Sequence, residues 1–237
     1  MQLPDRFIAP SRGIFRSLVL LSIAASFACA PAARPLLGAP TRQSLPATSV
    51  PLGSRQMSFT WKYKDDTFEA QGDGVVRVTG PDRARLDFFL KNGIGGGMAI
   101  LDGDSLIIPG IDLVRRFPPP LPLLWATLGR LAVPATPDTV ARVDGDTLRA
   151  DLGVLRGNDA SKNSASAWRV TFGGKVLARV ERIDKGKVQE WVSRSINEQA
   201  GTGELRYMNE GGRRSLSISV TETKNTEAFD DAIWRRP

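Results

Sequence analysis

Apolar and polar positions alternate with a period of two along much of this chain. The clearest case is 83–90, where Ala84, Leu86, Phe88 and Leu90 alternate with Arg83, Arg85 and Asp87, and only Phe89 breaks the pattern. That period sets the apolar residues on one face of a β-strand and the charges on the other. A glycine-rich turn at 92–97 leads to a second apolar run at 98–101, and Asp102-Gly103-Asp104 leads to a third at 106–108. Asp-Gly tolerates the positive φ of a tight hairpin, so the three runs predict an antiparallel meander with one apolar face.

The same rhythm recurs on both sides. Phe59, Trp61 and Tyr63 fall on one face of a strand at 58–64, followed by strands at 67–71 and 75–79 with Gly72-Asp73-Gly74 as the turn between them. Downstream, Asp144-Gly145-Asp146-Thr147-Leu148 repeats the pattern of Asp102-Gly103-Asp104-Ser105-Leu106, as if one hairpin were used twice. Further runs at 168–172, 176–183, 188–193, 204–208 and 215–220 are separated by Gly173-Gly174, Lys185-Gly186-Lys187 and Gly211-Gly212. About ten short strands with turn signals between them predict a mainly β, α+β fold: a strongly curved antiparallel sheet forming a half-open barrel.

One segment breaks the rhythm. Pro118, Pro119, Pro120 and Pro122 cannot sit in a central strand. Immediately after them, Leu123, Leu124, Leu128 and Leu131 fall at helical spacing beside Trp125, with a proline at the start and Gly129 near the end. A short helix this apolar must be buried, and the simplest place is against the apolar face of the sheet. The residues assigned to that interior are Leu86, Phe88, Leu90, Met98 and Ile100 from the sheet, and Leu124, Trp125 and Leu128 from the helix. The same set describes a filled core as well as a cavity.

The N-terminal end has a different character. Arg6, Arg12 and Arg16 against Asp5 precede a charge-free stretch of 12 residues at 17–28. That is shorter than the roughly 20 residues needed to cross a bilayer, so 1–28 reads as a secretory signal. Residues 29–55 are rich in Pro, Ala, Ser and Thr without period and read as an extended tether, which leaves 56–237 as one folded domain. The only cysteine, Cys29, closes the apolar run, so no internal disulfide can form.

Charge and composition narrow the function. The chain carries 32 Lys+Arg against 25 Asp+Glu, a net +7, and the first 28 residues account for three Arg and one Asp of these, which leaves +5. These charges are scattered singly along strands, without a basic run interleaved with aromatics, so a nucleic-acid partner is not indicated. Diffuse positive charge suits anionic lipid head groups instead. There is no histidine, which removes Ser-His-Asp and Cys-His nucleophilic systems and nearly all zinc sites. The glycines at 93–97 lie between strands and not before a helix, so they are not a phosphate loop. The acidic residues sit at turns or alternate with arginines on outward faces. Neither an enzyme nor a metal or cofactor is expected.

Two resemblances add to this. Ser26-Phe27-Ala28-Cys29 resembles the lipobox of bacterial lipoproteins, with Ser26 where leucine is usual, which implies an acylated Cys29 as the mature N-terminus. Ala28-Cys29-Ala30 also fits ordinary signal cleavage after Ala30. Residues 79–110 (TGPDRARLDFFLKNGIGGGMAILDGDSLIIPG), the apolar helix at 121–134 and the closing segment Phe229-Asp230-Asp231-Ala232-Ile233-Trp234 resemble the LolA/LolB-like superfamily of periplasmic lipoprotein carriers and outer-membrane lipoprotein receptors. The resemblance implies a half-open barrel with a helical lid over an apolar cavity that accepts the acyl chains of lipids or lipoproteins. It also implies a place in the bacterial envelope, lipid-anchored in the outer membrane and facing the periplasm, with a periplasmic carrier protein as partner. The lipobox cysteine points to the receptor branch, which uses an exposed apolar loop residue to touch the membrane. Ile94, alone among the glycines of its loop, matches that role, although it fits equally well tucked beneath a neighbouring loop. A non-catalytic sensor or protein-interaction module on the same fold is the alternative.

Overall fold

The computed structural model describes residues 30–91, 95–109, 115, 117–133, 136, 138–153 and 167–235. In chain order the strands are β1 (Ala39–Thr41), β2 (Ser54–Lys64), β3 (Glu69–Thr79), β4 (Arg83–Leu90), β5 (Gly96–Asp102) and β6 (Ser105–Ile107). After the helix α1 (Leu121–Thr127) come β7 (Val140–Asp144), β8 (Thr147–Leu152), β9 (Ala167–Gly173), β10 (Val176–Asp184), β11 (Lys187–Asn197), β12 (Thr202–Asn209) and β13 (Arg214–Thr226). They form one 13-stranded sheet in the order β1-β7-β8-β9-β10-β11-β12-β13-β2-β3-β4-β5-β6. Every pairing is antiparallel. The sheet does not close: β1 and β6 are its two edges. Among the described residues, the mainly β, open-barrel architecture with a short helix at 121–127 is the one expected from the sequence.

The twin Asp-Gly-Asp segments both make two-residue turns, in β5–β6 and β7–β8, with Gly103 and Gly145 at φ 56° and 55°. Gly72-Asp73-Gly74 does not turn. β3 runs straight through it, with Trp61 opposite Gly72 and Phe59 opposite Gly74. The glycines are there for space: a Cβ on Gly74 would strike the Phe59 ring, and one on Gly72 would strike the backbone of Phe89. A turn signal in the sequence is here a flat place for two aromatic rings.

The inner face is built from the alternate residues of the central strands. Tyr63, Trp61 and Phe59 of β2 stand opposite Leu216, Ile218 and Val220 of β13. Val76 and Val78 of β3 stand opposite Leu86 and Ala84 of β4. Together with Val170, Phe172, Val180, Val192, Leu205 and Tyr207 they form one continuous core, and α1 lies within it against β10 and β11.

The outer face of β4 is polar and tied down. Asp87, only 7% exposed, accepts from Arg77 Nη1 at 2.7 Å and from Arg85 Nη2 at 2.9 Å. Arg85 also donates to the Ile233 carbonyl at 2.9 Å, so the closing 3-10 helix (Asp231–Trp234) lies across this face.

Residues 30–50 are not a free tether. Val188 N donates to the Pro31 carbonyl and Ala33 N to the Gly186 carbonyl, both near 2.9 Å and 2.8 Å respectively. Arg169, itself held by the buried Asp151, donates to the Arg34 carbonyl at 2.6 Å. β1 pairs with β7, and Val50 is 1% exposed. The expected boundary at residue 56 therefore moves back to about residue 30, because backbone hydrogen bonds to the sheet hold this segment, and those leave no periodicity in the sequence.

Candidate functional site

The site expected from the sequence is the space between the sheet and α1. The helix starts where Pro120, with φ −52° and ψ 149°, stops the preceding proline run. It ends on Gly129 at φ +89°, with Gly129 N bonded to the Ala126 carbonyl and Arg130 N to the Trp125 carbonyl, a Schellman closure. Leu123, Leu124, Trp125, Ala126 and Thr127 are all buried and Leu121 and Pro122 are half-buried, so the helix fills space against the sheet. Among the described residues, Trp125 Nε1 donates to the Gly103 carbonyl at 3.0 Å, and Leu131 N, just past the helix, donates to Thr48 Oγ1 at 2.8 Å.

Leu86, Phe88, Leu124, Trp125 and Leu128 are brought together as expected, each 6% exposed or less and all in the one core. Leu90 packs at its edge, half-buried. Met98 and Ile100 do not join them. Met98 pairs with Asp87 and Ile100 with Arg85, so both stand on the outer face, and Ile100 is buried there, outside the core. The assignment assumed that β5 keeps the phase of its apolar run. The register instead places Leu101, Ala99 and Gly97 on the inner face, opposite Ala84, Leu86 and Phe88, because a one-residue change in phase across a turn moves every side chain to the other face. Cys29 and Ile94 lie outside the described residues. Next to the loop that holds Ile94, Phe89 is 52% exposed.

Phe117 was not readable from any pattern. It sits just before the prolines, 2% exposed, at the centre of a ring cluster. Its centroid lies 4.7 Å from Tyr63, 5.1 Å from Trp61 and 6.3 Å from both Phe68 and Phe88. The period-two run of Phe59, Trp61 and Tyr63 was the visible half of this cluster. With Phe117 and α1 in place, the space left between Leu86, Phe88, Pro118, Leu124, Tyr207 and Leu216 is about 10 Å³, which is no more than one water needs.

Polar groups gather at the two ends of the inner face. At one end Glu190, 4% exposed, accepts from Tyr207, Asn209 and Arg182. Burial, and then the charge of Glu190, pushes the Tyr207 hydroxyl up to about 12. At the other end, beside the C-terminus of α1, stand Arg55, Arg130 and Arg194.

Three solved structures are similar to this one. A LolA superfamily protein from Nitrosomonas europaea is 12% identical over 78% of this chain and 91% of its own, with a TM-score of 0.46. A DUF1329 family protein from Desulfovibrio piger is 9% identical over 78% of this chain and 90% of its own, at 0.48. An outer membrane lipoprotein-sorting protein domain from Vibrio parahaemolyticus is 10% identical over 77% and 89%, at 0.37. The first of them carries the name of the superfamily that the sequence resembles. No protein-family model and no curated protein matches the chain. Among the described residues no helix is long and apolar enough to cross a membrane.

Proposed function

We propose that this chain is a non-catalytic envelope lipoprotein that takes acyl chains of lipids or lipoproteins into the space now filled by α1 and Phe117. In this reading it acts in lipid or lipoprotein transfer at the outer membrane, facing the periplasm, with a periplasmic carrier protein as its exchange partner. One observation carries the proposal. The apolar inner face of the sheet is covered by a seven-residue helix and one ring, an occupant of the kind an acyl chain could replace.

The energies match. Burying Phe117, Leu123, Leu124, Trp125 and Leu128 contributes about 1.5–3 kcal/mol each, roughly 7–15 kcal/mol in sum. An acyl chain of ~14 carbons returns about 0.8 kcal/mol per methylene, on the order of 11 kcal/mol. Exchange of plug for ligand is then close to neutral, and whatever the displaced helix next covers decides the direction. Cys29 acylation is the anchor. Since the chain docks on the sheet from Pro31 onward, such an anchor would hold the domain against the membrane with almost no slack, and Ile94 would orient it there.

Native mass spectrometry of the protein purified from membranes tests this. A co-purified lipid mass that detergent-free refolding removes is the expected result. The small space left beside α1 among the described residues favours the alternative, a sensor or protein-interaction module with a permanently closed core. Absence of bound lipid, together with failure of the wild type and of a plug-deficient variant to bind a fluorescent fatty acid, would establish that alternative.

A further inference from the structure

The arginines beside the C-terminus of α1 come from three distant parts of the chain. Arg55 lies on β2 next to Met57 and is paired across the sheet with Val78 and Asn225. Arg194 lies on β11, on the inner face opposite Leu205. Arg130 follows the helix-ending Gly129, its Cζ 4.7 Å above the Trp125 ring. Arg194 packs over the same glycine, its guanidinium 3.6–3.8 Å from where a Cβ on Gly129 would stand.

Glu198 is the acidic group that faces two of them, Arg55 and Arg194. Glu198, on the exposed turn after β11, accepts from Arg194 Nη2 at 2.6 Å. Arg55 feels Glu198 as an attraction and Arg194 as a repulsion, and burial, the largest influence, draws its pKa below the ordinary arginine value. Two donors here are buried and have no hydrogen-bond partner among the described residues: Arg55 Nε and Arg130 Nη1. A stable fold gains nothing by gathering like charges against an apolar interior and leaving donors unpaired, since each such group costs about 1–3 kcal/mol. Buried cations call for anions, and guanidinium groups favour the planar, two-oxygen face of a carboxylate or phosphate.

The geometry points to an anion site at this end of the half-barrel, formed by Arg55, Arg130 and Arg194, that holds the carboxylate or phosphate of a ligand whose acyl chain lies in the interior. It rests on the acyl-binding reading for the position of the chain but not for the anion itself. The arginines are largely buried but not sealed, with 11% of the Arg194 side chain exposed, so an anion can reach them from solvent. A lipid head group and free phosphate share this chemistry, and they are separable by experiment.

Oleate, oleyl alcohol and inorganic phosphate are the probes, on the full mature protein and on Arg55→Gln and Arg194→Gln, with circular dichroism to confirm the fold. The expected result is oleate binding at least tenfold tighter than oleyl alcohol, a preference that shrinks in high salt. Either substitution should remove the preference and leave alcohol binding unchanged. Phosphate that raises the melting temperature of the wild type but not of Arg55→Gln, with neither lipid bound, would keep the anion site, identify free phosphate as its ligand and refute the acyl-binding reading. Equal binding of oleate and oleyl alcohol by the wild type would overturn the anion site and leave acyl binding standing. If one variant misfolds, the salt and head-group comparisons on the wild type and the other variant decide alone.

Discussion

Phe117→Ala separates a plug from an ordinary core residue. Phe117 is 2% exposed and meets four rings within 6.3 Å. Truncating a buried phenylalanine to alanine costs about 3–5 kcal/mol, of which a residual void of ~100 Å³ accounts for about 2 kcal/mol at ~24 cal/mol per Å³. Urea unfolding should show that loss as a lower midpoint with an unchanged slope. The void opens beside the existing gap under Phe88 and Pro118, so a ligand that fills it recovers part of what the empty protein lost. If half the cavity cost, about 1 kcal/mol, is recovered, affinity for a fluorescent fatty acid rises about fivefold, since 1.4 kcal/mol is a factor of ten. Leu152→Ala, a truncation of a residue 1% exposed on β8, should destabilise comparably without that gain. Fatty-acid affinity equal to the wild type's in a folded, destabilised Phe117→Ala would refute the plug, as would a stability loss under about 1 kcal/mol.

Three further outcomes are expected. Tyr207 keeps its proton in the folded state up to about pH 12, whereas unfolded tyrosine loses it near 10. The stability it contributes is therefore complete below pH 10 and is lost between about 10 and 12, and Tyr207→Phe should flatten the alkaline limb of a stability–pH curve. Cys29→Ser should move the protein from the membrane to the soluble fraction; a wild-type protein that is already soluble and begins at Pro31 would show ordinary cleavage instead. Ile94→Asp should leave fold and localisation intact while impairing delivery of lipid into liposomes, because one isoleucine at an interface contributes only about 1–3 kcal/mol. A loss of thermal stability as large as that of a core substitution would show that Ile94 is buried.

The amino-acid sequence determined the local structure of this protein. Alternation within a strand depends on residues two apart, turn glycines on their own φ, and the helix on spacings of three and four, so β4, the twin Asp-Gly hairpins and α1 were all legible from a short window. Whatever depends on how two windows meet was decided only by the tertiary structure. The phase of β5 relative to β4 was set by pairing register, which sent Met98 and Ile100 to the outer face. The straight course of β3 through Gly72 and Gly74 was set by the rings of a neighbouring strand. Residues 31–34 were docked by main-chain bonds that any side chains permit. Phe117 and the three arginines came together from positions far apart along the chain, because one apolar face had to be covered by whatever the fold could bring to it.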